Sequence, residues 1–133
     1  MIKGQGVSLI FIKDQKILLM YRLKKGVEYY TFLGGGVEEG ETIEQAATRE
    51  AKEETSLDVK NFKKLWESEN QGRIEHYFLI DKFEGSLKVA GPEADRQSKD
   101  NVYRLEWVSL EDTSGLNLQP KYMKETVMKE LAQ

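Results

Sequence analysis

Residues 34 to 57 read GGGVEEGETIEQAATREAKEETSL, three glycines followed by a run crowded with acidic side chains. The second part reads as a helix. Thr42 and Gln45 have the spacing of a capping box, in which each side chain satisfies an unpaired backbone donor of the first turn. Ile43 to Thr55 contain neither Gly nor Pro. With about 100° between successive residues and Ile43 as origin, Ala46, Ala47 and Ala51 fall within about 80° of it. Glu44, Gln45, Thr48 and Lys52 take the opposite side. Glu50 and Glu54 then land about 20° to either side of Ile43, along the stripe that should face the protein.

A solvated acidic helix would carry its glutamates on the wet face. Here two of them turn inward, where an unpaired carboxylate costs several kcal/mol or takes up a proton. Glu50 also stands at i,i+3 and i,i+4 from Glu53 and Glu54, spacings at which like charges repel. No Lys or Arg lies within the stripe, although Arg49 flanks it on Glu53's side. A hard divalent cation, Mg²⁺ or Mn²⁺, would resolve the repulsion. Mg²⁺ typically accepts one or two carboxylates and keeps water and substrate phosphates in its other positions.

Upstream, Gly34, Gly35 and Gly36 end a short extended piece, YYTFL, at 29 to 33. Glycine lacks a side chain and lets backbone approach a ligand closely. Three glycines alone read as an ordinary turn. Leading through VEEGE into the acidic helix, they read as a phosphate-cradling loop beside a carboxylate metal site. That pairing points to chemistry on a phosphate or diphosphate, where metal ions neutralise oxygen charge and activate water.

The remaining chain interleaves strands and helices. Residues 5 to 12 and 16 to 22 read as two strands joined by a KDQK turn. Further strands are expected at 58 to 67, 73 to 82 and 103 to 110, with a polar loop, GPEADRQSKDN, at 91 to 101. In the 73 to 82 strand, Ile74, His76, Phe78 and Ile80 alternate with Glu75, Tyr77, Leu79 and Asp81. Pro120 suits the first turn of a last helix carrying Met123, Val127 and Leu131. At 133 residues and 39% hydrophobic, the chain is expected to form one domain over 1 to 133 around one core.

Composition narrows the function classes. There is no Cys, which excludes disulfides and thiolate metal sites. The N-terminus lacks the small-residue cleavage site of a signal peptide, and no apolar run approaches the ~18 residues that span a bilayer. A cytoplasmic protein without membrane association is the expectation. Net charge is −3, from 20 basic and 23 acidic residues, and the basic ones are scattered. General nucleic-acid binding, which needs a basic footprint, is therefore not expected. A small polyanion can still bind through a divalent cation or a few basic groups.

Gly35, Glu41 six positions on, then Arg49, Glu50, Glu53, Glu54 and the apolar Leu57 resemble the signature box of the Nudix hydrolases at every spacing, a box over 35 to 57. WVSLEDT at 107 to 113 is similar to a segment that often follows the family's last long strand. The resemblance implies an α/β/α sandwich with a mixed sheet, an α+β fold. It also implies hydrolysis of a nucleoside diphosphate linked to another group, such as a nucleoside triphosphate or a nucleotide sugar. By the same resemblance, Glu50, Glu53 and Glu54 bind the cations and one of them handles the attacking water. Arg49 would orient carboxylates and Glu41 would support the site's geometry. Three positions depart from the family's pattern: Ser56 where Gly is usual, Ala51 where a bulky aliphatic is usual, and Leu33 where Pro often stands. Ser56 must then take a left-handed helix cap at a cost of ~1 kcal/mol.

For the rest of the ligand, Arg22 at the end of the second strand is a phosphate candidate, and Tyr30 and Phe32 are candidates to stack on a base, with Gly34 to Gly36 beneath. His76 reads as packed more readily than catalytic. Glu93 is a candidate further metal ligand and Arg96 a phosphate contact, with a plain solvated loop at least as good a reading. Trp66 and Trp107 read as core anchors. The expected partner is a small nucleotide, and a homodimer is left open. The alternative function is a Nudix-like module that senses a nucleotide without cleaving it.

Overall fold

The computed structural model describes residues 4 to 70, 72 to 88 and 98 to 131. Within them lie strands β1 (Gly4–Lys13), β2 (Lys16–Lys24), β3 (Val27–Thr31), β4 (Leu33–Gly36), β5 (Asp58–Asn70), β6 (Arg73–Glu84), β7 (Asn101–Ser109) and β8 (Leu118–Gln119). Helix α1 spans Ile43–Thr55, helix α2 spans Lys121–Leu131, and a short 3-10 helix covers Leu110–Gly115. None of these helices is long and apolar enough to cross a membrane.

The sheet is mixed, and β1 organises it. Gly4 to Phe11 pair in parallel with β6, Gly6 to Leu9 pair antiparallel with β4, and the last residues, Ile12 and Lys13, pair with β2. β2 is flanked by β3 and β7, while β5 closes the other side against β6. The β1 to β2 turn is tight because Asp14 and Gln15 both take positive φ, of 52° and 62°. Positive φ at both central residues is what a two-residue turn needs to match strand twist.

Side-chain alternation sorts the strands into two cores where one was expected, because the sheet is covered on both faces. Val7, Leu9, Phe11, Leu18, Met20, Phe78 and Ile80 pack with Ala46, Ala47 and Ala51 of α1. Ile10, Ile17, Leu19 and Tyr77 pack with Met123 and Val127 of α2. The sheet is thus sandwiched between the two helices, as expected. Each large aliphatic or aromatic side chain buried there contributes about 1.5 to 3 kcal/mol. The alternation along β6 does not separate a dry face from a wet one. Tyr77 is as deeply buried as Phe78, because a central strand is covered on both sides.

Two readings of the chain change. The extended piece at 29 to 33 is the end of one strand and the start of another, divided at Phe32. The glycines are not a loop: Gly34, Gly35 and Gly36 form β4, in register with Ser8, Val7 and Gly6 of β1. Backbone pairing with β1 holds them, and no side chain is required for it. β8 and the 3-10 helix were not foreseen. Pro120 stands just before α2, its carbonyl accepting from the amides of Met123 and Lys124.

Candidate active site

The site is built on the inner edge of α1 and on β4. The capping box forms: Gln45 N–H donates to Thr42 Oγ1 at 3.0 Å, and Thr42 N–H to Gln45 Oε1 at 2.8 Å. Ser56 closes the helix in the left-handed region at φ 68°, its N–H on the Lys52 carbonyl. Between these caps, Ala46, Ala47 and Ala51 are buried, and their small side chains suit close approach to the sheet. The helix register therefore turns Glu50 and Glu54 toward β4, as the wheel predicts. The Glu50 side chain is only 13% exposed, whereas Glu53 at 52% faces outward.

β4 meets those carboxylates directly. The amide of Gly34 donates to Glu54 at 3.2 and 3.4 Å. A methyl group built on Gly35 would stand 2.3 to 2.7 Å from the Glu50 carboxylate, so the glycine leaves the space that this carboxylate occupies.

Arg49 is the hub of the charge network. Its Nε and Nη2 reach the two oxygens of Glu41 at 2.7 and 3.0 Å, a bidentate pair. Nη1 donates to Glu50 at 2.9 Å and to Glu53 at 3.2 Å, and Nη2 to the Gly36 carbonyl at 2.9 Å. Glu41 also accepts from the Glu38 amide at 3.0 Å. The guanidinium, and then that amide, hold the Glu41 carboxyl below its ordinary value. The same carboxylates raise Arg49 further above its own, Glu41 foremost. Arg49 thus answers part of the repulsion that the helix register creates.

Oxygen donors of this kind suit a hard divalent cation. Among the described residues, no three acidic or histidine side chains stand together closely enough to hold one. The donor chemistry of Glu50, Glu53 and Glu54 fits the ion. Glu50 and Glu53 accept from the Arg49 guanidinium, and Glu54 accepts from the Gly34 amide.

Other candidates lie elsewhere. Arg22 stacks its guanidinium 3.6 Å from the centre of the Tyr103 ring and donates to Asn101 Oδ1 at 2.7 Å, so it is engaged by β7. Tyr30 packs against the α2-side core and donates to Glu106 at 2.6 Å. Neither is bonded to the glutamates of α1. Alternation along β3 decides this for Tyr30, whose ring belongs to the face opposite α1. His76 is buried, with Nε2 2.7 Å from Gln5 Oε1 and Nδ1 3.2 Å from Glu67. Burial lowers its pKa, which suits a packed neutral ring. Trp66 stacks on Tyr77 and Trp107 on Phe83. Glu93 and Arg96 lie outside the described residues.

A cleft of about 140 Å³ opens beside β4, lined by Ser8, Phe32, Gly34, Gly35, Arg73, Glu75, Pro120 and Met123. Sequence reasoning passed over Arg73 and Glu75. The available signal was a glutamate on the same strand face as the aromatic Tyr77, which a wholly solvated face would not need.

The family model described as "NUDIX domain" matches residues 3 to 129. An ADP-ribose pyrophosphatase of Methanocaldococcus jannaschii is 39% identical over 96 residues, covering 67% of this chain and 56% of that protein. A dihydroneopterin triphosphate diphosphatase of Escherichia coli is 43% identical over 51 residues, covering 38% of this chain and 34% of that protein. The chain spans between 19% and 56% of the length of the curated relatives it matches. Among solved structures, one from a study of MutT from Aliivibrio salmonicida and Vibrio cholerae superposes with a TM-score of 0.74 at 21% identity, over 96% of this chain and 94% of that one. That likeness is one of fold.

Proposed function

This chain belongs to the NUDIX domain family, and we propose that it is a metal-dependent hydrolase cleaving the pyrophosphate bond of a nucleoside diphosphate linked to another group. The observation that carries the reading is the seating of Glu50 and Glu54 against Gly35 and Gly34 of β4, a strand held in register by β1. Carboxylates fixed in this way are preorganised to hold a hard cation, which in turn meets the negative charge on phosphate oxygens.

In this reading Glu50 and Glu54 hold Mg²⁺ or Mn²⁺, and Glu53 either adds a third oxygen or takes the proton of the attacking water. A cation held there supplies charge neutralisation at the phosphate oxygens and lowers the pKa of water. Arg49 positions Glu50 and Glu53 through its fork, and Glu41 fixes Arg49 from behind. Water attacks phosphorus, the anhydride P–O bond breaks, and the proton leaves to a carboxylate. The scattered basic residues favour a small nucleotide over a polymer as substrate. Relatives that act on a pyrophosphatase substrate and on a triphosphate support the same reaction class.

The second reading, a nucleotide sensor without turnover, draws on the lack of three convergent acidic or histidine side chains among the described residues. Phosphate release from a nucleotide panel with Mg²⁺, wild type against Glu54→Gln, separates them. The hydrolase reading expects wild-type turnover that falls by orders of magnitude in the variant. Equal background rates with intact nucleotide binding would leave the sensor.

A further inference from the structure

Glu75 is held unusually for a strand glutamate. Its side chain is 12% exposed, while its partner Arg73, with Nε 2.8 Å from Oε1, is 46% exposed. The pair lies over Gly6. A Cβ there would come within 2.7 Å of both Glu75 oxygens and 2.2 Å of Arg73 Nη2. Ser8, two residues along β1, also donates to the carboxylate. Burial nevertheless raises the Glu75 pKa against the pull of Arg73 and Ser8. A carboxylate offers about four lone-pair sites, and these two donors leave capacity for more. Glu75 also lines the cleft.

Phe32 and Met123 of α2 both line that cleft, and an aromatic ring and a polarizable thioether are side chains that suit contact with a planar ring. Gly34 and Gly35 line the cleft too, and they are the residues that meet Glu54 and Glu50. A ring seated in the cleft therefore leads across β4 to the carboxylates.

We infer that this cleft takes a ring with a 2-amino group beside a ring N–H, the edge shared by guanine and pterins, and that the Glu75 carboxylate reads it by accepting both donors. Only that edge presents two adjacent donors. Adenine and cytosine set an acceptor next to their amino group, and uracil and thymine flank their single N–H with carbonyls, which a carboxylate repels. Glu75 is thus the specificity-determining residue of the proposed hydrolase, and the inference rests on that reading for the placement of the phosphates.

Calorimetry on the full chain with GMP, IMP, AMP and neopterin tests it independently of turnover. IMP keeps the ring N–H and lacks the 2-amino group. GMP is expected to bind about 10-fold to 100-fold tighter than IMP, the range for one hydrogen bond to a charged acceptor, and a pterin site would instead bind neopterin and discriminate it from AMP. Which of the two binds tells a nucleobase site from a pterin site. In Glu75→Gln the GMP to IMP ratio should collapse toward one, and Glu75→Asp, which withdraws the charge by one methylene, serves if the glutamine variant does not fold. Equal wild-type affinities for GMP and IMP, no binding of any ring, or a ratio unchanged in both variants would overturn the inference, even if nucleotides are hydrolysed. A clear GMP or neopterin preference without cleavage of any anhydride would uphold it and overturn the hydrolase reading instead.

Discussion

Arg49 donates from Nη1 to Oε1 of Glu50 at 2.9 Å, so the guanidinium grips the carboxylate of its own sequence neighbour. Adjacent residues on a helix point about 100° apart, and the long Arg side chain spans that angle. The same fork reaches Glu41 with two nitrogens and the Gly36 carbonyl with one of them. A lysine brings one compact charge without a fork and cannot hold these groups together. Arg49→Lys should lower kcat on the order of 100-fold, the scale of a misplaced catalytic group, while the far-ultraviolet spectrum stays that of wild type. A kcat within twofold of wild type would remove the positioning role.

Glu41 supplies a pH-dependent part of this network. Arg49 holds its carboxyl below the ordinary 4.5. A depressed acid stabilises the fold above its unfolded value, and that contribution disappears as pH falls through the folded one. Wild type and Glu41→Gln should therefore differ in Tm near neutrality, wild type being higher, and should converge well below pH 4.5. A difference that persists unchanged into acid would mean the carboxylate charge is not what Arg49 uses.

The helix and its inward glutamates were legible because they are written in side chains: a capping pair, a 3.6-residue period and alanines on one face. β4 was not, since a strand made of Leu33 and three glycines has almost no side-chain pattern and owes its place to the backbone of Gly6 to Leu9. β8 has only two residues, too few for any period. Tyr30 looks from sequence like a ring to stack on a base, but it packs into the α2-side core and donates its hydroxyl to Glu106, a partner on β7 far away in the chain. Glu75 escaped notice because its burial depends on Gly6 across a parallel pair, a contact between residues far apart in the chain.

Glu53 has two roles open to it, and the Mg²⁺ dependence divides them. If Glu53 is a third oxygen donor, Glu53→Gln should shift the Mg²⁺ concentration for half-maximal rate upward by about 10-fold or more, the range for losing a group that supports the metal, with kcat recovering at high Mg²⁺. As proton acceptor, it should leave that midpoint near wild type and lower kcat by about 10²-fold to 10⁴-fold. Its 52% exposure leaves room for water on that side. A variant that matches wild type in both quantities would exclude Glu53 from the reaction.

Ser56 takes the left-handed cap with φ 68°, as its place after the last helical turn requires. L-residues pay roughly 1 to 2 kcal/mol there and glycine does not. Ser56→Gly should raise stability by about 1 kcal/mol in urea titrations, with the m-value unchanged. Since Leu57 is buried beside it, a loss of stability would instead show that serine ties down the chain into β5.

Gly34 and Gly35 are neighbours that should fail differently when each becomes alanine. At Gly34 the added Cβ would lie 2.0 Å from the Val7 carbonyl oxygen, on rigid sheet backbone, and φ is +147°, a region side chains rarely adopt. Backbone has to move, so Gly34→Ala should cost about 2 to 4 kcal/mol of stability and lower Tm well before any assay of activity. At Gly35 the nearest atoms belong to the Glu50 carboxylate, at 2.3 to 2.7 Å, which is the far end of a flexible side chain. That carboxylate can swing away cheaply. Gly35→Ala should fold with a Tm within a few degrees of wild type and yet lose about 10²-fold in kcat, because a displacement near 1 Å is enough to spoil the geometry of the reacting groups. The pair of measurements separates a strand that must pack from a strand that must leave room. If Gly35→Ala kept full activity, Glu50 would not be working from the position in which β4 holds it.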